Sequence, residues 1–332
     1  MNLTETEKEQ LEVFEEVQNA LNIFKDAEMD FTGALQFLIT SLQLLHRKEE
    51  GTRVSQLYWA VSPILILQKL LKTDIKFNFV HILADSLSVF FPGQEPHAIC
   101  VYGASLLRYA MNLQLTNEQT NQIVKFVHTL KRKSGGFGAS ETGETDTRTT
   151  YAVLTIIYLN NIQEEFSDFL GLTVIFLKKK LQNFGFAGQE DFGEAHASFT
   201  YCALTGLEIL KRLGYFNEFT RQEERRLLKF LVFRQQITGG FNGRTNKHED
   251  GCYNFWVGAS LCILKKQSLV NMELFNIWVK CCNQDFETGG FRDKPGISSD
   301  RFHNCYVLTG WCLLNGVCSI DPALPVYKEV CE

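Results

Sequence analysis

Asp250, Cys252 and His303 hold the most specific chemical potential in this chain. Asp250 and Cys252 flank Gly251, and His303 follows Cys252 by 51 residues. Carboxylate, thiolate and imidazole all ligate zinc at about 2.0–2.3 Å, and three protein ligands leave one corner of a tetrahedron open, as in a catalytic site. Asp300 stands close enough in sequence to support the His303 ring from behind. Just before Asp250, Gly243-Arg244-Thr245-Asn246-Lys247 sets two cations in a glycine-containing loop. Such a loop suits a diphosphate, or in isolation plain solvation. Taken singly, an Asp-x-Cys or a His is more often structural, and free cysteine is among the most buried residue types.

A repeat of about fifty residues brings these groups together. Ser134-Gly135-Gly136-Phe137-Gly138 recurs as Phe184-Gly185-Phe186-Ala187-Gly188, as Thr238-Gly239-Gly240-Phe241-Asn242-Gly243 and as Thr288-Gly289-Gly290-Phe291. A degraded copy stands at Phe91-Pro92-Gly93. Glycine supplies the turn, and the phenylalanine can plug a core edge. After each turn come a polar loop and a helix that is apolar nearly all round, beginning near Tyr151, Phe199, Tyr253 and Tyr306. Amphipathic patterns over 116–132, 221–235 and 272–284 predict outer helices between them. Arg148, His196, Cys252 and His303 follow the turn phenylalanine by 11, 10, 11 and 12 residues. They therefore fall at the starts of successive inner helices, where unpaired N–H groups favour anions. In a closed ring these starts converge on one mouth, with Tyr102, Tyr151, Phe199, Tyr253 and Trp256 lining an apolar cavity beneath it.

The predicted architecture is all-α: an α6–α6 (α/α) barrel of about six helical hairpin repeats. It forms one domain over 1–332, with 1–50 as additional N-terminal helices. Leu11, Phe14, Val17, Leu21 and Phe24 mark one face of the first. Closure is expected over an open solenoid because the inner helices are too apolar to line a groove in water. Composition agrees: 332 residues, 45% hydrophobic with 27 Phe, supply a large core, and only 6 Pro interrupt helices. A net charge of -5 gives no bulk electrostatic case for nucleic acid. The acidic, polar start and ten cysteines point to a cytoplasmic protein with reduced thiols. The strongest apolar stretch, 60–71, contains Pro63, Gln68 and Lys69 and is not expected to insert in a membrane.

Gly240-Phe241-Asn242-Gly243-Arg244-Thr245-Asn246-Lys247 with Asp250-Gly251-Cys252-Tyr253-Asn254-Phe255-Trp256 closely resembles the zinc-region signature of protein prenyltransferase β subunits. Gly289-Gly290-Phe291-Arg292-Asp293 with Asp300-Arg301-Phe302-His303 resembles their second zinc segment. Glu144-Thr145-Asp146-Thr147-Arg148 and Glu194-Ala195-His196 resemble the segments between. The resemblance spans roughly residues 50–328. It implies zinc at Asp250, Cys252 and His303, diphosphate binding by His196, Arg244, Lys247 and Tyr253, and a cavity for isoprenoid and peptide that includes Arg148 and Trp256. It also implies a separate, obligate α subunit, an isoprenoid diphosphate donor, and the cysteine of a C-terminal CaaX box on small GTPases as acceptor.

Within the family, the segment Arg53-Val54-Ser55-Gln56-Leu57-Tyr58-Trp59 is similar to the cavity-floor segment. It places Ser55 where farnesyltransferases carry a bulky Trp, with Trp59 alongside. A small side chain there implies room for a geranylgeranyl group, the reading favoured. Asp293, where farnesyltransferases use Asp to help bind magnesium, and the aromatic Phe302 before His303 resemble a farnesyltransferase or an enzyme of dual specificity. The Rab-directed type is similar in length but usually lacks Asn before the loop lysine. Two other classes remain as contrasts. A terpene cyclase is disfavoured, since neither Asp-Asp-x-x-Asp nor Asp-x-Asp-Asp occurs. A non-catalytic helical scaffold rests on the repeat alone.

Overall fold

The computed structural model describes residues 4–44, 52–73, 95–189 and 193–328. Among them are α1 (Glu5–Ile23), α2 (Phe31–Gln43), α3 (Arg53–Leu71), α4 (Ala98–Ala110), α5 (Asn117–Leu130), α6 (Thr147–Leu159), α7 (Ser167–Lys179), α8 (Ala197–Arg212), α9 (Arg221–Val232), α10 (Tyr253–Ile263), α11 (Met272–Trp278) and α12 (Arg301–Asn315). The degraded copy at 91–93 lies outside the described residues. The most apolar helices form the inner ring. Helices α3, α4, α6, α8, α10 and α12 each pack against the next, and α12 returns to α3, so the ring is closed. Helix α3 has the length and apolarity to cross a membrane, but it is an inner helix with most of its surface buried in the ring, and it runs uninterrupted through Pro63.

The outer helices start where side chains take up their free N–H groups. Thr116 with Gln119 and Thr220 with Glu223 form capping boxes at α5 and α9. They end earlier than the amphipathic pattern implies. Lys131 pairs with Phe137, Gln235 with Phe241 and Gln284 with Phe291 as isolated antiparallel bridges, which draws the last residues of each pattern into the turn. In the last unit, α11 gives way to a π-helical turn over Val279–Asn283. The four turn phenylalanines, Phe137, Phe186, Phe241 and Phe291, are buried. Each contributes about 1.5–3 kcal/mol of burial.

Glycine is required in these turns for conformation and for space. Gly135 and Gly239 have φ 94° and 98°. A Cβ on them would stand 2.5 Å from the Leu172 carbonyl oxygen of α7 and 2.0 Å from the Leu274 carbonyl oxygen of α11. Each turn thus seats on the outer helix of the next unit. Gly289, at φ 76°, makes the same approach to Gly33, where a Cβ would lie 2.8 Å from its carbonyl oxygen. Helix α2 is therefore the outer helix that completes the ring, packing on α3 and α12. Only α1 lies outside the alternation. It rests on the π-helical turn through its C-terminal half: Val17 is buried and Phe24 stacks on Phe286 at 4.0 Å, whereas Leu11 and Phe14 of the expected apolar face are exposed.

Gly239→Ala should destabilise the protein by about 2–4 kcal/mol, combining left-handed strain with a backbone clash. Gly214 has φ 84° but open space around it, so Gly214→Ala should cost only the strain, about 1–2 kcal/mol. Chemical denaturation of the two variants measures the difference.

Candidate active site

The starts of the inner helices share one end of the ring because each is stitched to the following unit. The amide of Ala98 donates to the Ala139 carbonyl at 2.7 Å, Thr147 to Gly188 at 3.2 Å, Ala197 to Gly243 at 2.8 Å and Gly251 to Asp293 at 2.8 Å. Polar side chains cap these starts. Asp146 accepts from the Thr149 amide at 2.8 Å, His196 Nδ1 from the Ser198 amide at 3.3 Å, and Asp300 from the His303 amide at 2.8 Å.

Asp250, Cys252 and His303 meet at this end, and one ligand atom from each lies within 4.8 Å of the others. His303 Nε2 is 3.3 Å from Asp250 Oδ1. Tetrahedral donors at zinc distances stand about 3.3–3.8 Å apart, so a small contraction brings all three onto one ion. The oxygen, sulfur and nitrogen set is the one zinc accepts. Asp300 Oδ2 holds His303 Nδ1 at 2.6 Å, which turns Nε2 to the shared centre. The Cys252 amide donates to Asp250 Oδ1 at 2.8 Å. A Cβ on Gly251 would stand 2.7 Å from the Arg292 carbonyl oxygen, so only glycine lets this loop lie so close. Asn283 secures the arrangement: it accepts from Asn254 Nδ2 at 2.8 Å and donates to the Asp293 carbonyl at 2.8 Å and to that of Arg292 at 3.2 Å.

Burial pushes the Cys252 thiol well above its usual range, and Asp250 adds to the effect. Burial opposes protonation of His303, but its bonds to Asp250 and Asp300 prevail and its pKa is pushed up to about 9. Burial likewise opposes ionisation of Asp250, yet the His303 bond and charge hold its carboxyl below the usual range. Asp293 is raised by burial and then by the Asp250 charge; one oxygen is 2.5 Å from Lys294 Nζ, and Oδ1 is buried without a hydrogen-bond partner.

Beside this centre, Tyr253 Oη lies 3.3 Å from His196 Nε2. A Cβ on Gly243 would sit 2.3 Å from the Tyr253 ring. Burial, then the Arg244 charge, lowers the His196 pKa. Its Nδ1 accepts, so the neutral ring carries its proton on Nε2, facing the mouth. Arg244 is ion-paired with Glu194, and Lys247 of the same loop is exposed. Arg148 Nη2 lies 2.9 Å from Asp146 and 4.0 Å from Glu144.

Beneath the mouth is a cavity of about 340 Å³, lined by Ser55, Trp59, Tyr102, Arg148, Tyr151, Trp256 and Phe302, as expected, and also by Tyr58, His97, Glu144, Cys202 and Tyr306. Of the aromatics expected here, Tyr253 stands beside His196 instead, and Phe199 is not part of this lining either. Its ring stands 5.7 Å from that of His196, with the Arg148 guanidinium 5.8 Å above it. The sequence reading missed the belt to which Tyr102, Tyr151 and Trp256 belong. Tyr58–Tyr102–Tyr151–Tyr201–Trp256–Tyr306 run ring to ring through all six inner helices except for the Tyr306 to Tyr58 step, with centroids 4.3–6.3 Å apart. The signal was available: each lies four to six residues beyond its helix cap. Trp59 meets Phe302 at 5.1 Å, and Phe302 meets His303 at 5.1 Å, which joins the cavity wall to the Asp250–Cys252–His303 cluster. Larger hollows of about 450 and 660 Å³ open near the other ends of α3, α4 and α6. Among the described residues they contain no such ligand cluster.

The prenyltransferase alpha-alpha toroid domain matches residues 29–326, which begins just before α2. The protein farnesyltransferase subunit beta of Schizosaccharomyces pombe is 30% identical over 282 residues, covering 79% of this chain and 71% of that protein. The geranylgeranyl transferase type-1 subunit beta of Dictyostelium discoideum is 30% identical over 227 residues, covering 68% of this chain and 61% of that protein. The structure of Candida albicans protein geranylgeranyltransferase-I complexed with GGPP superposes with a TM-score of 0.72 over 91% of this chain and 96% of that one; at 19% identity it speaks to the fold.

Zinc binding should strengthen as pH rises from 6 to 9, because Cys252 and His303 must lose protons to ligate. Asp300→Asn keeps an acceptor for the helix cap but removes the charge behind His303. It should lower zinc affinity about 10–100-fold with little change in Tm, as read by chelator competition.

Proposed function

The chain belongs to the protein prenyltransferase β-subunit family, and from that premise we propose that it transfers a geranylgeranyl group from geranylgeranyl diphosphate to the cysteine of a C-terminal CaaX box. The carrying observation is the Asp250–Cys252–His303 cluster, with Tyr253, next to Cys252 in the chain, paired with His196, and with Phe302 joining His303 to the aromatic cavity. In this reading Asp250, Cys252 and His303 hold zinc, which when bound lowers the pKa of an incoming thiol. The acceptor sulfur forms a bond to C1 of the isoprenoid while the bond from C1 to the diphosphate oxygen breaks. The thiol proton leaves to solvent beforehand.

The chain's own groups serve the departing anion. Neutral His196 offers its Nε2 proton and Tyr253 its hydroxyl, while Arg244 and Lys247 supply charge that matters most as negative charge grows on the leaving oxygen. Phe302 and Trp59 form the wall nearest the metal ligands, where the acceptor peptide passes. Small Ser55, buried in the cavity lining, favours the longer isoprenoid by steric allowance. A farnesyl or dual preference is the second reading. It is favoured by Asp293, whose buried unpartnered oxygen near Asp250 suits a magnesium ion held with the diphosphate. The catalytic unit in this reading is a cytoplasmic heterodimer with a prenyltransferase α subunit acting on small GTPases, without nucleic acid or stable membrane insertion.

Reconstituted with an α subunit and given both isoprenoid diphosphates in competition, the protein should prefer geranylgeranyl diphosphate and lose activity in Cys252→Ala. Transfer that survives Cys252→Ala overturns the zinc role. Ser55→Trp should shift preference from twenty carbons to fifteen; an unchanged preference removes the basis for the longer lipid. Asp293→Lys should flatten the magnesium dependence of transfer, and an unaltered magnesium titration refutes that assignment.

A further inference from the structure

We propose that Glu194 is a movable counter-ion, held by Arg244 in the free protein and passed to Arg234 when a diphosphate occupies the mouth. Arg234 is then a positioning residue for the anion site. The inference rests on the reading of His196, Arg244 and Tyr253 as diphosphate ligands.

Arg244 is not free to bind an anion as it stands. Its guanidinium is ion-paired with Glu194, and the two side chains keep 39% and 54% of their exposure. A diphosphate placed on Arg244 displaces this carboxylate and also repels it. Half-exposed, the displaced carboxylate can be solvated, but a second cation nearby would receive it and hold it away from the bound anion.

Arg234 is built to be that receiver. It is only 6% exposed. Nε donates to the Phe230 carbonyl at 3.3 Å and the guanidinium lies 4.9 Å from the Phe230 ring centroid, but Nη1 is buried without a hydrogen-bond partner. A buried guanidinium donor without a partner is rare in a folded protein. Phe230 in turn seats on Gly185, where a Cβ would meet its ring at 2.7 Å. The Arg234 carbonyl accepts from the Asn242 amide at 2.9 Å, two residues before Arg244. Arg234 is thus tied through Phe230 to the turn at Gly185 and through Asn242 to the loop that carries Arg244. Glu194 is the carboxylate whose charge acts on Arg234, and Arg234 acts in turn on His196.

The repeat supports a positioning role. Asn283 occupies the same register one unit later, its carbonyl accepting from the Arg292 amide at 2.8 Å. There the side chain spends its donors on the loop beside the metal ligands. In the same register Arg234 keeps an unspent donor.

Calorimetric binding of inorganic diphosphate to the reconstituted heterodimer tests the exchange. Glu194→Gln should tighten binding about threefold by freeing Arg244, and Arg234→Gln should weaken it about tenfold. In the Glu194→Gln background, Arg234→Gln should change binding less than twofold, since no charge then needs a receiver. Arg234→Lys should keep most of the affinity. Equal weakening by Arg234→Gln in both backgrounds overturns the proposal, as does a Glu194→Gln protein that binds no tighter, a result readable even if Arg234→Gln does not fold. Arg244→Gln separates the two claims: unchanged diphosphate binding in that variant refutes the anion site itself, whereas loss of binding there with an additive cycle refutes only the exchange.

Discussion

The ring depends on backbone approaches that leave no room for a side chain. Gly135, Gly239 and Gly289 each place their Cα where a Cβ would strike a carbonyl oxygen of the neighbouring outer helix. Such contacts set the spacing of the units more tightly than side-chain packing alone, because the backbone cannot change rotamer. With the spacing set, the apolar inner helices come into contact around the axis and the turn phenylalanines fill the seams. The constraint recurs in three of the four turns, with Gly185 closing on the Phe230 ring in the other, so a small angular error would accumulate until α12 failed to meet α3.

Chemistry follows from that registration. Groups 51 residues apart in sequence face each other because one repeat advances the chain by one inner helix. The centre is then held by neutral amides: Asn254 and Asn283 tie the helix of Cys252 to the loop of Asp293. Carboxamides tolerate burial better than charges do and impose direction through both donor and acceptor. The titrating groups are thus left to face the mouth, where burial and mutual contact set their protonation.

Much of this was legible in the chain, and for identifiable reasons. Asp250, Cys252 and His303 announce themselves by residue type and by a separation of one repeat. The closed all-α ring follows from helices too apolar to face water. Other features were hidden. The tyrosine belt was only partly seen, because Tyr58, Tyr201 and Tyr306 sit in helices whose every face is apolar and read as ordinary core. Phe199 was expected inside the cavity, yet it stands beside His196, since it precedes Tyr201 of the belt by two residues and so lies on another face of the helix. The outer helices end early because their last residues pair with the turn, a competition no amphipathic pattern records. The part played by α2 was invisible for a different reason: its partner in the ring lies at the other end of the sequence.

That separation has a bearing on how the molecule is made. Gly33 and Gly289 touch, and Arg301 reaches back to Ser41 and Gln56. During synthesis, α2 leaves the ribosome long before α12 exists to pack on it. Closure therefore awaits α12, and the nascent protein carries an open seam until that helix emerges. Contacts of such range make for slow folding and a prolonged need for shielding, so the barrel's completion is governed by its last hairpin.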